Sequence, residues 1–113
     1  MTTMANAARA YRRSSDNRSL RAQEADVFRR ATGSLRSATD ATSADRTRAL
    51  IDNRRLWNMV VCVVRDPDNR LQPTMRAALV SVGMVVQREM DGPSPDFNFL
   101  IAVNEVIAAG LEP

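Results

Sequence analysis

Asn53-Arg54-Arg55-Leu56-Trp57 running into Asn58-Met59-Val60-Val61-Cys62-Val63-Val64 is the stretch whose reading decides the fold. As a helix it places two arginines and the only tryptophan at the mouth of a run that is apolar on nearly every side. Such a helix must be covered by other elements or by a partner. The polar residues ahead of it then fall where buried surface meets water. A strand reading fails, because neither Val60–Val64 nor Val80–Val86 alternates apolar with polar residues as a half-buried strand does. The pattern predicts an all-α protein: a small bundle of four main helices plus a short N-terminal helix.

Working outward, the boundaries are marked by capping and breaking residues. A first short helix is expected over Ala5–Arg13, with Tyr11, before Ser14-Ser15-Asp16-Asn17 breaks it. The second is expected from about Arg18 to Ala38. Leu20, Val27, Ala31, Leu35 and Ala38 form its apolar face, and Arg21, Arg29, Arg30 and Arg36 lie opposite. Asp40-Ala41-Thr42-Ser43 caps the third, from Ala44 to Val64, which begins amphipathic with Ala44, Leu50 and Ile51. Asp66-Pro67-Asp68-Asn69 stops it, since proline biases its predecessor away from helix and Asp and Asn favour turns. Pro73 suits the first turn of the fourth, whose stripe is Met75, Leu79, Val82, Val86 and Met90. Gly83 sits mid-helix at a cost of about 1 kcal/mol, which a close helix–helix approach would explain. The fifth is opened by Ser94-Pro95 and ended near Ala109 by Gly110 as a left-handed stop.

Composition bounds the rest. The 113 residues suit one domain, 1–113, with residues 1–17 as a flexible N-terminal segment, and one core needing no metal or disulfide. Aromatics are 4%, so the core is built from Val, Leu, Ile, Met and Ala. All 16 basic residues are arginine, and the absence of histidine removes His-based triads and His metal sites. One cysteine precludes an internal disulfide and a thiolate zinc site; within its apolar run, Cys62 reads as a small buried hydrophobe. No glycine-rich phosphate loop, nucleophile elbow or spaced metal ligands occur, so no catalytic residue, cofactor or metal is expected. No stretch reaches the roughly 18–20 apolar residues of a membrane span, and a cytoplasmic protein is expected.

The candidate partner-binding residues are Asn53, Arg54, Arg55, Trp57 and Asn104. Arg and Trp are enriched at binding hot spots. Trp57 is either a core residue or the floor of a groove, with Asn53 and an arginine at its rim. Asn104, between Val103 and Val106, is either exposed or hydrogen-bonded, because a buried unpaired amide costs about 1–3 kcal/mol. Met59, Met75, Met84 and Met90 read first as core filling. The charge is uneven, +5 over residues 1–39, +1 over 40–71 and −3 over 72–113. Arginines at 9, 12, 13, 18 and 21 raise the question of RNA. Asp16, Glu24 and Asp26 interrupt them, and stacking aromatics are nearly absent, so direct RNA binding is not the favoured reading.

One ordered set of residues spans most of the chain: Tyr11, Arg18-Ser19-Leu20, Asn53-Arg54-Arg55-Leu56-Trp57, Leu71-Gln72-Pro73, Arg76-Ala77-Ala78-Leu79, Val103-Asn104 and Gly110-Leu111. In that order and spacing the chain resembles the flagellar biosynthesis protein FlaF of alphaproteobacteria, most firmly from Asn53 to Leu111. It departs in Val82-Gly83-Met84-Val85-Val86, where bulkier residues are expected, and in an extension by Gly92-Pro93-Ser94-Pro95. The resemblance implies a cytoplasmic factor that binds flagellin before export, supports its synthesis or secretion, and works beside FlbT, a regulator of flagellin messenger RNA. It supplies no catalytic residues. The reading is a flagellin-binding chaperone and regulator that takes an amphipathic flagellin segment into a groove. Its rivals are an RNA-associated regulator of flagellin message and a homodimeric adaptor.

Overall fold

A computed structural model describes residues 25–111. Among these residues there are four helices and no strand: α1 over residues 25–38, α2 Ser43–Arg65, α3 Pro73–Asp91 and α4 Phe97–Leu111. The all-α bundle with four main helices is thus present. The expected short helix at Ala5–Arg13, the start of the helix expected from Arg18, and the arginines at 9, 12, 13, 18 and 21 lie outside the described residues.

Local chemistry sets the boundaries. The Thr42 hydroxyl accepts the Asp45 N–H at 3.2 Å and starts α2. At its far end the exposed carbonyls meet a cation: Arg76 of α3 donates from Nε to the Val64 carbonyl at 2.7 Å and from Nη2 to the Asp66 carbonyl at 3.0 Å. A guanidinium there satisfies orphan acceptors and opposes the negative end of the helix dipole. The loop between α2 and α3 is stitched by its own side chains. Asp66 accepts the Asp68 N–H, Asn69 accepts the Leu71 N–H, and the Asn69 amide reaches the Val63 carbonyl. Pro73 occupies the first turn of α3.

Two boundaries correct the sequence reading. The cap of α4 is Asp96, not Ser94-Pro95: its carboxylate accepts the Phe99 N–H at 3.1 Å, and its own N–H donates to Glu89 of α3 at 2.9 Å. A carboxylate tethered to the preceding helix outcompetes a serine farther from the first turn. Gly110 is no left-handed stop either, since it lies within α4 and no glycine has positive φ among the described residues.

The helices pack in alternating directions through α1–α3, and α4 runs parallel to α2. Phe28 of α1 meets Trp57 edge-on with ring centroids 6.4 Å apart, and Arg46 of α2 lies 4.2 Å above the Phe97 ring of α4. Arg46 also donates to the Thr39 carbonyl at the end of α1, and Arg36 of α1 pairs with Glu105 of α4. The core joins Phe28, Ala31, Leu35 and Ala38 to Ala49, Leu56, Trp57 and Val60, and then to Val86, Met90, Phe97 and Leu100.

Four core expectations are corrected. Cys62 is exposed rather than buried, because α2 turns it away from α1 and α4. At the start of α2 the buried residue is Ala49, while Ala44 and Ile51 are exposed and Leu50 is half-buried. In α3, Leu79, Val86 and Met90 are buried but Met75 is exposed, one turn beyond the covered stripe. Among the four described methionines, Met90 is buried and Met59 half-buried, while Met75 and Met84 face solvent.

Candidate functional site

Asn53 and Trp57 are four residues apart on α2 and therefore share its inner face. Asn104 of α4 and Met90 of α3 converge on them. Asn53, Trp57 and Asn104 are all 0% exposed, and among the described residues no buried side-chain nitrogen or oxygen lacks a partner. Their bonds form one directed chain. The Trp57 indole donates to Asn104 Oδ1 at 2.9 Å, Asn104 Nδ2 donates to Asn53 Oδ1 at 2.7 Å, and Asn53 Nδ2 donates to Met90 Sδ at 3.3 Å.

Chemistry fixes the direction. An indole N–H can only donate, so Asn104 must present its oxygen to Trp57. Its amine then faces Asn53, which must present oxygen in turn, leaving the Asn53 amine for the thioether, a weak acceptor. Reversing either amide would set donor against donor. Three helices are thus held in one register by three bonds, and unsatisfied alternatives cost about 1–3 kcal/mol per buried group. The sequence leaves Asn104 open between exposed and bonded; it is bonded. Trp57 stands in the core.

The same helices carry an open groove on another face. Asn58, Val61 and Arg65 of α2 and Val80, Gly83, Met84, Gln87, Arg88 and Asp91 of α3 line it, enclosing about 500 Å³. Gly83 sets how closely α3 approaches α2 beside the groove. A Cβ there would come within 2.8 Å of Val61 Cγ2 and 3.5 Å of Trp57 Cε3, so only glycine lets the two helices approach this closely. Trp57 therefore lies directly beneath the groove, held from behind by Asn104. Met84 is 58% exposed, with Val61 and Val80 half-buried beside it. Arg54, half-buried, closes one end through a 2.7 Å ion pair with Asp91 and a bond to Gln87, which in turn donates to Asn58. Arg55 is exposed on the neighbouring turn face.

Of the five candidate residues, the structure brings Asn53, Trp57 and Asn104 together in the interior, ties Arg54 to Gln87 and Asp91 at the groove, and leaves Arg55 exposed. Sequence reasoning did not find Met90 as the last acceptor, nor Phe28 against Trp57. The i, i+4 relation of Met90 to Val86 signals only burial, and nothing in the sequence pairs a thioether with an amide. Among the described residues no group of His, Cys, Asp or Glu could hold a metal ion, and no helix is long and apolar enough to cross a membrane.

The molecule is a small all-α bundle with a buried, fully bonded amide network and an open groove between α2 and α3. The chain matches the family model for flagellar protein FlaF over residues 7–111 and belongs to that family. Comparison with curated proteins and with solved structures gave no match.

Proposed function

We propose that this chain is a cytoplasmic, non-enzymatic flagellin-binding chaperone and regulator supporting flagellin synthesis and secretion. Membership of a flagellar family gives the general setting, flagellum biogenesis. The observation that carries the finer reading is the groove between α2 and α3, with exposed Met84 flanked by Val61 and Val80. Methionine is flexible and polarizable, suited to receiving the apolar stripe of a partner helix. Flagellin's terminal segments are amphipathic and polymerise by helix packing, and a chaperone that covers one keeps subunits apart before export.

Within this reading the candidate residues divide their work. Arg54 and Arg55 meet the partner at the rim. Asn53, Trp57 and Asn104 act from behind, by holding α2, α3 and α4 at the separation that opens the groove. The reading also places the chain in functional association with FlbT. The test is co-purification of the full chain with flagellin lacking either terminal segment. Loss of binding with one truncation is expected; undiminished binding to both eliminates the reading.

A further inference from the structure

The groove has a charge pattern as well as an apolar floor, and it defines the chemistry of its occupant. Arg65 stands on the α2 rim and Arg88 on the α3 rim, both exposed. Among the described residues, the ion pairs are Arg29–Asp26, Arg36–Glu105 and Arg54–Asp91, so neither Arg65 nor Arg88 has a carboxylate partner. Among the described residues the one carboxylate lining the groove, Asp91, is already held by Arg54. Among the described residues the rim thus carries two arginines with no ion-pair partner around Val61, Val80, Gly83 and Met84.

Both arginines lie in the last turn of their helices, where any cation is favoured by the dipole. That interaction accounts for their position along the axis but not for their facing the same groove. For α2 the role is already filled, since Arg76 binds the Val64 and Asp66 carbonyls.

Spacing sharpens the pattern. Val61 lies against Gly83 and Arg54 pairs with Asp91, so α2 and α3 are antiparallel. Arg65, one turn beyond Val61, therefore comes level with about Val80, eight residues of α3 from Arg88. At 1.5 Å per residue the two charges are offset by about 12 Å along the groove, on opposite rims. An occupying helix matches them with two carboxylates about eight residues apart. Their angular offset of about 80° directs one to each rim, with apolar residues between them at i+3 to i+4 steps.

Resting on the flagellin-binding reading, the geometry points to a groove selective for an amphipathic helix whose apolar stripe is flanked by carboxylates, engaged by Arg65 and Arg88. A second copy of this chain is disfavoured as the occupant, because it would bring two positive rims together.

The test uses the full chain and fluorescein-labelled synthetic helices of about 20 residues, long enough to hold helical structure. Each peptide has a leucine stripe and carries Glu, Gln or Lys at the two flanking positions. Binding is followed by fluorescence anisotropy. The Glu peptide should bind about fivefold more tightly than the Gln peptide, as expected for two solvent-exposed ion pairs, and the Lys peptide more weakly still. The preference should shrink with added salt. In the double variant R65E/R88E it should invert towards the Lys peptide, with the native circular-dichroism spectrum retained although the melt is lowered by the loss of a favourable last-turn cation on each helix. Equal affinity for the three peptides, no binding of any, or an unchanged preference in R65E/R88E overturns the inference. Flagellin itself separates the two readings. If flagellin binds wild type and R65E/R88E equally, the charge-selective groove is refuted while flagellin binding stands. If flagellin fails to bind but the peptide preference holds and inverts, flagellin binding is refuted and the groove chemistry is supported.

Discussion

The inner and outer faces of α2 meet opposite fates, although both are mixtures of apolar and polar residues. Inside, Asn53, Leu56, Trp57 and Val60 are covered by α1, α3 and α4, and each polar atom has a defined partner. Outside, Val61 is only half-buried, Cys62 and Val63 are exposed, and Arg65 has no carboxylate partner among the described residues. Hydrophobicity does not separate the two faces. What separates them is whether another helix of the same chain can reach. Among the described residues the inner face is covered by the chain's own helices, and the outer face is left open.

Breaking the inner face should produce the largest effects. Asn104→Leu strands the Trp57 N–H and the Asn53 carbonyl together in the interior and should lower unfolding free energy by about 3 kcal/mol, measured by urea denaturation. Loss below about 0.5 kcal/mol would mean the two groups find water, and the inner face is not sealed. Trp57→Phe keeps an aromatic ring towards Phe28 but removes the indole donor and the benzo ring against Gly83, leaving the Asn104 carbonyl unpaired and a void; a loss of about 2–3 kcal/mol is expected.

Between the faces lies Gly83. Gly83→Ala gains helix propensity of about 1 kcal/mol. It also drives a methyl into Val61, a stiff β-branched side chain, for a net loss of about 1 kcal/mol. In a Val61→Ala background the sign should reverse, because the obstructing methyl has gone. A double-mutant cycle reads this directly, and additivity would show that α2 and α3 are not in contact at this point.

Met90→Leu conserves volume and removes only the thioether acceptor of Asn53, so a loss of about 1 kcal/mol is expected by chemical denaturation. The smallest effect belongs to the outer face. Cys62→Ser should change stability by less than about 0.5 kcal/mol, and the wild-type thiol should react stoichiometrically with a disulfide reagent without denaturant. Protection until unfolding would place Cys62 inside.

Much of this was legible in the chain. Proline at Pro67 and Pro73, the Thr42 cap and the apolar stripes of Ala31, Leu35 and Ala38 act over one or two helical turns. They locate α1, α2 and α3 to within a residue or two where described. The α4 cap escaped because Asp96 depends on Glu89, a residue of another helix. Cys62 and Met75 were misplaced for a related reason: a helix apolar all round does not say which side its neighbours take.

The candidate site was legible as residues and not as an arrangement. Asn53, Trp57 and Asn104 stand out by type and position. The sequence does not choose between a core and an interface for them, because the same amide serves either. The bonds that decide span 47 and 51 positions of the chain.

By itself, then, the order of residues determined helices, breaks and the candidates around Trp57, all governed by local periodicity and composition. Only the tertiary structure decided that the amides face inward, that Gly83 admits Val61, and that Arg65 and Arg88 overlook one groove. Such pairings depend on distance in space, and distance in space is set by how the helices pack.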